Sequence, residues 1–187
     1  IDTAFIGNWV GWKALTGIGI VFPLLFIIMG ITFGLGSGAT TVIAQSIGEN
    51  DKEKADSFAS HTIFLGLCLS VITILIGFIF GEKFLMLQGA SAQSLIYASD
   101  YFFIMLIGTP FMIFGIFFRS ILSGEGDTLF PMKILGFGTV LNMILDPIFI
   151  HFYQVKGAAL ATILSQILVF IIFTYFIIFK NHAYISF

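Results

Sequence analysis

Five stretches of this chain, roughly 15–46, 57–81, 95–122, 129–152 and 157–179, are long and apolar enough to cross a lipid bilayer. A hydrocarbon core about 30 Å thick takes a helix of about 20 mostly apolar residues. The whole chain agrees with that reading: 58% of its 187 residues are apolar, 10% are charged, and the mean hydropathy is +1.07. Lipid is therefore the expected solvent. There every backbone N–H and C=O must be satisfied within the protein, which makes the helix the expected element. Residues 1–8 read as the remnant of one more crossing. The predicted fold class is all-α, a polytopic six-helix transmembrane bundle with a truncated first helix, and residues 1–187 form one unit.

Short polar breaks separate the runs: "GENDKEKAD" (48–56), "GEKFLMLQGASAQ" (81–93), "SGEGDT" (123–128) and "HFYQVKG" (151–157). Breaks this short make consecutive helices antiparallel neighbours. Alternation puts Lys52, Lys54, Arg119, Lys133 and Lys180 on one side, and Lys13, Lys83 and Lys156 on the other. Because cytoplasmic loops carry the excess of Lys and Arg, "GENDKEKAD" is expected in the cytoplasm. Asp56 and Asp127 are placed to cap the helices that follow them.

Several function classes fall away on composition. A formal net charge of −2 provides no basic field for nucleic acid. Cys68 has no second cysteine to pair with, so no intrachain disulfide forms. No zincin helix, Walker loop or G-x-S-x-G elbow occurs, no nucleophile has a matched base, and the chain is not expected to be an enzyme. The opening "IDTAFIG" lacks the basic n-region of a signal peptide, and both ends are expected to be cut ends of a longer sequence. No internal repeat of 20–50 residues is visible.

Within the run 129–152, "NMILDPIF" (142–149) sets an acid beside a proline in hydrocarbon. Asp146 lies about five residues past the midpoint of that run, about 7–8 Å at 1.5 Å per residue. An ionised carboxylate at such depth costs at least ~2.5–3.5 kcal/mol, so it marks a cavity or a partner. Asn142, four residues earlier, shares its face. Pro147 has no N–H, so the Met143 carbonyl loses its helical donor. Carboxylate, amide oxygen and loose carbonyl are hard ligands, suited to a proton or sodium. The alternative is a protonated acid bonded to Asn142 or a neighbouring helix, with Pro147 merely bending the segment. Counted from the outer ends of their helices, Asp2 and Thr162 come to a similar depth, which allows a shared site.

Other polar and small residues are weaker signals. Pro23 supplies a bend, and Gly30, Gly34 and Gly38 share one face of the first complete run. That face serves a tight helix crossing or, alternatively, leaves room for a cavity. Arg119 either snorkels to the interface or contacts a substrate. Gln45 and Gln166 either bond across helices or line a path. His61, Asp100, His151 and His182 fall at membrane boundaries or in loops. Twenty-four phenylalanines mostly meet lipid or other helices, though in a cavity they would suit flat apolar ligands.

"DTAFIG" (2–7), "GLGSGATTVIAQSIGENDKEKA" (34–55), "RSILSGEGDT" (119–128), "NMILDPIFI" (142–150) and "GAALATILSQ" (157–166) together resemble the multidrug and toxic compound extrusion (MATE) transporters. In order and spacing they are similar to the amino-terminal lobe of that family. The resemblance implies one half of a twelve-helix exporter in the cell membrane, the inner or plasma membrane of a prokaryote. Its missing carboxy-terminal lobe would close a central cavity. Such proteins exchange organic, often cationic, small molecules for protons or sodium and need no cofactor. It also implies a cation-responsive site at Asp2, Asn142, Asp146 and Thr162, with the Ala158 carbonyl as a further ligand. A lipid-linked oligosaccharide flippase of the same superfamily is the alternative. Such a flippase is expected to line its cavity with several cations for a pyrophosphate, and the interior here offers Arg119.

Overall fold

Three helix starts in this protein are set by short polar side chains. The structure, a computed structural model, describes residues 2–179, 184 and 185; the side chains of Asp2 and Ile178, and residues Lys180 and His182, fall outside that description. Helix α1 spans Asp2–Trp9 and α2 spans Trp12–Gly48. A tight turn follows, with Asn50 at φ +58°, a conformation that asparagine tolerates better than most residues. Helix α3 (Lys52–Leu87) starts at once, capped by Asp51, whose Oδ1 accepts the Lys54 N–H at 3.0 Å. The sequence assigned that role to Asp56, but the helix begins earlier and Asp56 lies within it. Helix α4 (Ala92–Gly124) opens with a reciprocal cap between Ser91 and Ser94. Helix α5 (Leu129–Thr174) begins beside Asp127, whose carboxylate accepts the Phe130 N–H at 3.0 Å, as expected. A π-helical turn, Tyr175–Phe179, extends α5.

All described elements are helical, and four of the helices are long and apolar enough to cross a membrane. Two expected loops are largely helical. α3 continues to Leu87, through all of "GEKFLML", because these residues are mainly good helix formers and Leu85 is fully buried. "HFYQVKG" is helical on both sides of one residue, Gln154, with φ +53° and ψ −127°. Among the described residues there are therefore five α-helices where six separate ones were expected, counting the short first one.

At 1.5 Å per residue α5 would be about 69 Å long if straight, more than twice the hydrocarbon thickness. It is not straight. Asn142 and Thr162, about 30 Å apart along a continuous helix, lie within hydrogen-bond distance at 3.3 Å. A side chain on Gly138 would collide with Val169, and one on Gly157 with the Phe149 carbonyl. These pairs converge on a reversal near Gln154. Glu125, just before α5, also accepts the Ile185 N–H from beyond its far end at 2.8 Å. The chain returns to the level at which α5 started.

α4 lies at the centre, packed against α2, α3 and α5. Without a hydrophobic force between helices in lipid, close approach depends on small residues. Those residues are Gly66, Gly77 and Gly81 of α3, which receive Phe117, Leu106 and Phe102, and Gly17 and Gly36 of α2. The expected tight crossing at Gly30, Gly34 and Gly38 is absent among the described residues: each faces open space. Gly36 is two positions from both Gly34 and Gly38, about 200° around the helix, so the packed and open faces are nearly opposite.

Candidate functional site

Asn142 and Asp146 occupy successive turns of the first arm of α5, and Thr162 faces them from the second arm. The Asn142 amide donates to Asp146 Oδ1 at 3.2 Å and to Thr162 Oγ1 at 3.3 Å. One side chain thus ties the two arms together. Asp146 is fully buried, while Asn142 is half-buried and reaches the wall of a cavity. Ala158, one turn before Thr162, is fully buried as well. The i, i+4 spacing sets Asn142 against Asp146, and the reversal at Gln154 brings in Thr162.

The Asp2 side chain lies outside the described residues. Its helix packs against α5, with Ile6 and Ile150 fully buried in one apolar cluster and Trp9 edge-on to His151, ring centres 6.3 Å apart. Pro147 and Pro23 sit inside α5 and α2 without interrupting helical backbone angles; in α5 the interruption is at Gln154. At Pro147 the missing N–H still leaves the Met143 carbonyl without its usual intrahelical donor.

The cavity measures about 530 Å³. Phe22, Phe26 and Phe33 of α2 line one side, Tyr101 and Met112 of α4 another, and Asn142 of α5 a third. Hydroxyls and an amide from Thr139, Ser165 and Gln166 add polarity on the α5 side. Gln166 lines the cavity, and Gln45 is exposed. Arg119 is exposed and lines the cavity too, the one charged side chain among its described lining. Sequence reasoning did not single out Phe22, Phe26, Met29 and Phe33. Their spacing of four, three and four residues was the available signal, a single helical stripe.

The remaining polar groups hold structure. Asp100 pairs with Lys156 at 3.2 Å, binding the start of α4 to the α5 reversal. His61 Nδ1 lies 2.6 Å from the Ser57 carbonyl one turn back in α3.

Residues 1–148 match the MatE family profile. Over 183 residues, 95% of this chain, the protein is 28% identical to the probable multidrug resistance protein YoeA of Bacillus subtilis (strain 168), covering 40% of that protein. It is 31% identical over 186 residues to an FAD transporter of Shewanella oneidensis, with 96% of this chain and 41% of that protein covered. A crystal structure of MATE in the bent conformation superposes with a TM-score of 0.95 at 32% identity, over 99% of this chain and 42% of that one. The chain thus spans about two fifths of the length of the curated relatives it matches. A profile match over most of the chain, and a close superposition on a multi-pass transporter fold, carry one conclusion: this chain belongs to the MatE family of multi-pass membrane proteins.

Proposed function

We propose that the chain is one six-crossing lobe of a twelve-helix exporter, in which the two arms of α5 count as two crossings and α1 as part of the first. The whole protein moves drugs or other organic compounds, cationic ones among them, out across the membrane by alternating access, in exchange for protons or sodium. The observation that carries this reading is the Asn142 amide, hydrogen-bonded at once to a fully buried carboxylate and to the opposite arm of α5 at the cavity wall. A buried acid in lipid needs a partner or an ion. This one is coupled through a single side chain to the surface a substrate would touch.

The amide supplies a means of transmission. An ionised Asp146 only accepts hydrogen bonds, so Asn142 presents its NH₂. A proton on Asp146 makes that group a donor and favours the flipped amide, with its carbonyl oxygen towards the acid or towards the Thr162 hydroxyl. The cavity wall and the contact between the arms of α5 change together. Sodium would act through the same oxygen atoms, with the Met143 and Ala158 carbonyls and Asp2 as further ligands. Either ion biases two arrangements of the lobe by binding one of them better.

The flippase reading is not favoured, because Arg119 is the one cation among the described lining residues and a pyrophosphate calls for several. The test is efflux of a fluorescent organic substrate by the full-length protein in inverted vesicles, driven by an imposed proton or sodium gradient. Asp146→Asn is expected to reduce gradient-driven efflux at least about tenfold while substrate binding changes less than about twofold. Undiminished coupling in that variant would remove the basis of the mechanism.

A further inference from the structure

The cavity combines an apolar aromatic wall with a single sign of charge. The rings of Phe22 and Phe26 stack, 27° from parallel with centres 6.1 Å apart, and both line the cavity. Arg119 shares a helical face of α4 with Met112 and Ile116, seven and three residues before it, and all three line the cavity. Arg119 forms no ion pair with any described carboxylate. The described lining contains no aspartate or glutamate, and Asp146 is sealed behind Asn142.

A guanidinium presents a rigid fork of N–H donors that matches the two oxygens of a carboxylate or phosphate. Between aromatic walls that pairing is screened less than in water. A cationic ligand would gain ring faces here but would meet the like charge of Arg119 with no acid among the described lining residues to offset it.

We infer that this cavity selects flat aromatic compounds carrying one oxyanion, a carboxylate or a phosphate, with Arg119 pairing the oxyanion while the ring lies against the phenylalanines of α2 that line the cavity. The inference rests on the exporter reading and replaces the cationic part of its substrate class with anions. Gln166 can donate to a heteroatom of the ligand, and Asn142, whose two N–H groups are taken by Asp146 and Thr162, offers its carbonyl oxygen, so the ligand also touches the side chain bonded to Asp146.

The test uses four probes with one ring, pyrene bearing a butyl carboxylate, phosphate, alcohol or trimethylammonium group, with the full-length purified protein. Binding is read from pyrene fluorescence and transport from gradient-driven accumulation in proteoliposomes. The carboxylate or the phosphate is expected to bind at least about tenfold tighter than the alcohol, and the trimethylammonium weakest. Arg119→Gln should bring the anions to the affinity of the alcohol in the same variant, with an unchanged thermal-unfolding midpoint showing that the variant is folded. Arg119→Lys should restore part of the preference. The inference is overturned if the trimethylammonium probe binds as tightly as the anions, or if Arg119→Gln leaves the anion preference intact. If no probe of any charge accumulates under either gradient, the exporter reading fails instead; accumulation of the cation alone defeats the inference and spares that reading.

Discussion

Asn142 matters because of what surrounds its amide. Hydrogen bonds to charged groups contribute about 1.5–3 kcal/mol net in soluble proteins, and interhelical polar contacts in membranes average nearer 0.6. Asn142→Ala removes a donor to a fully buried carboxylate as well as a tie between the arms of α5. It is expected to destabilise the full-length protein by about 1–2 kcal/mol, seen as a lower midpoint in detergent thermal unfolding. With Asp146→Asn the two changes should be non-additive by more than about 0.5 kcal/mol; simple additivity would mean that the 3.2 Å contact carries no energy. Gln154 provides a second residue-scale case. Its backbone angles suit glycine, and strain of this kind costs about 1–3 kcal/mol. Gln154→Gly should therefore raise the unfolding midpoint, against the usual trend for a glycine substitution. A fall would indicate that the glutamine side chain holds the reversal.

Among the elements, α2 shows that similar glycines have opposite consequences. A Cβ on Gly17 would lie 2.9 Å from the Ser94 carbonyl oxygen, a backbone atom that cannot swing aside. Gly17→Ala is expected to cost about 1–3 kcal/mol through overpacking. Gly34 has nothing within 4 Å, so Gly34→Ala should be neutral or stabilising by up to about 1 kcal/mol from helix propensity. Comparing the two variants by the denaturant midpoint of purified protein checks the assignment of faces, and equal losses would contradict it. The repeat Gly30, Gly34, Gly38 was legible as a flat face, but not which surface it meets. That depends on the rotation of α2, which is fixed by Gly17 and Gly36 docking on α4.

For the molecule as a whole, the order of reversals predicts which loops share a side. Lys52 lies under the Tyr184 ring at 4.9 Å and Glu125 holds Ile185, so the α2–α3 turn, the α4–α5 turn and residues 184–185 form one end. Asp100 with Lys156 marks the other. In a Cys68→Ser background, cysteines at Asn50 and Gly126 should react with an impermeant thiol reagent from one side of the membrane, and cysteines at Gly89 and Gln154 from the other. From the excess of Lys and Arg the first side is expected to be the cytoplasmic one, and the labelling checks it. Labelling of Gln154→Cys from the same side as Asn50→Cys would require α5 to run straight.

Lipid as solvent, helix as element, approximate crossings and an acid with its i+4 amide all follow from the order of residues, because hydrocarbon length and helical periodicity are local quantities. The meeting of Thr162 with Asn142, the separation of packed from open glycines, and the placing of Arg119 in a cavity whose described lining holds no acid are different in kind. Each depends on how helices rotate and fold back on one another, and that is settled by side chains distant in the chain competing for the same small volume.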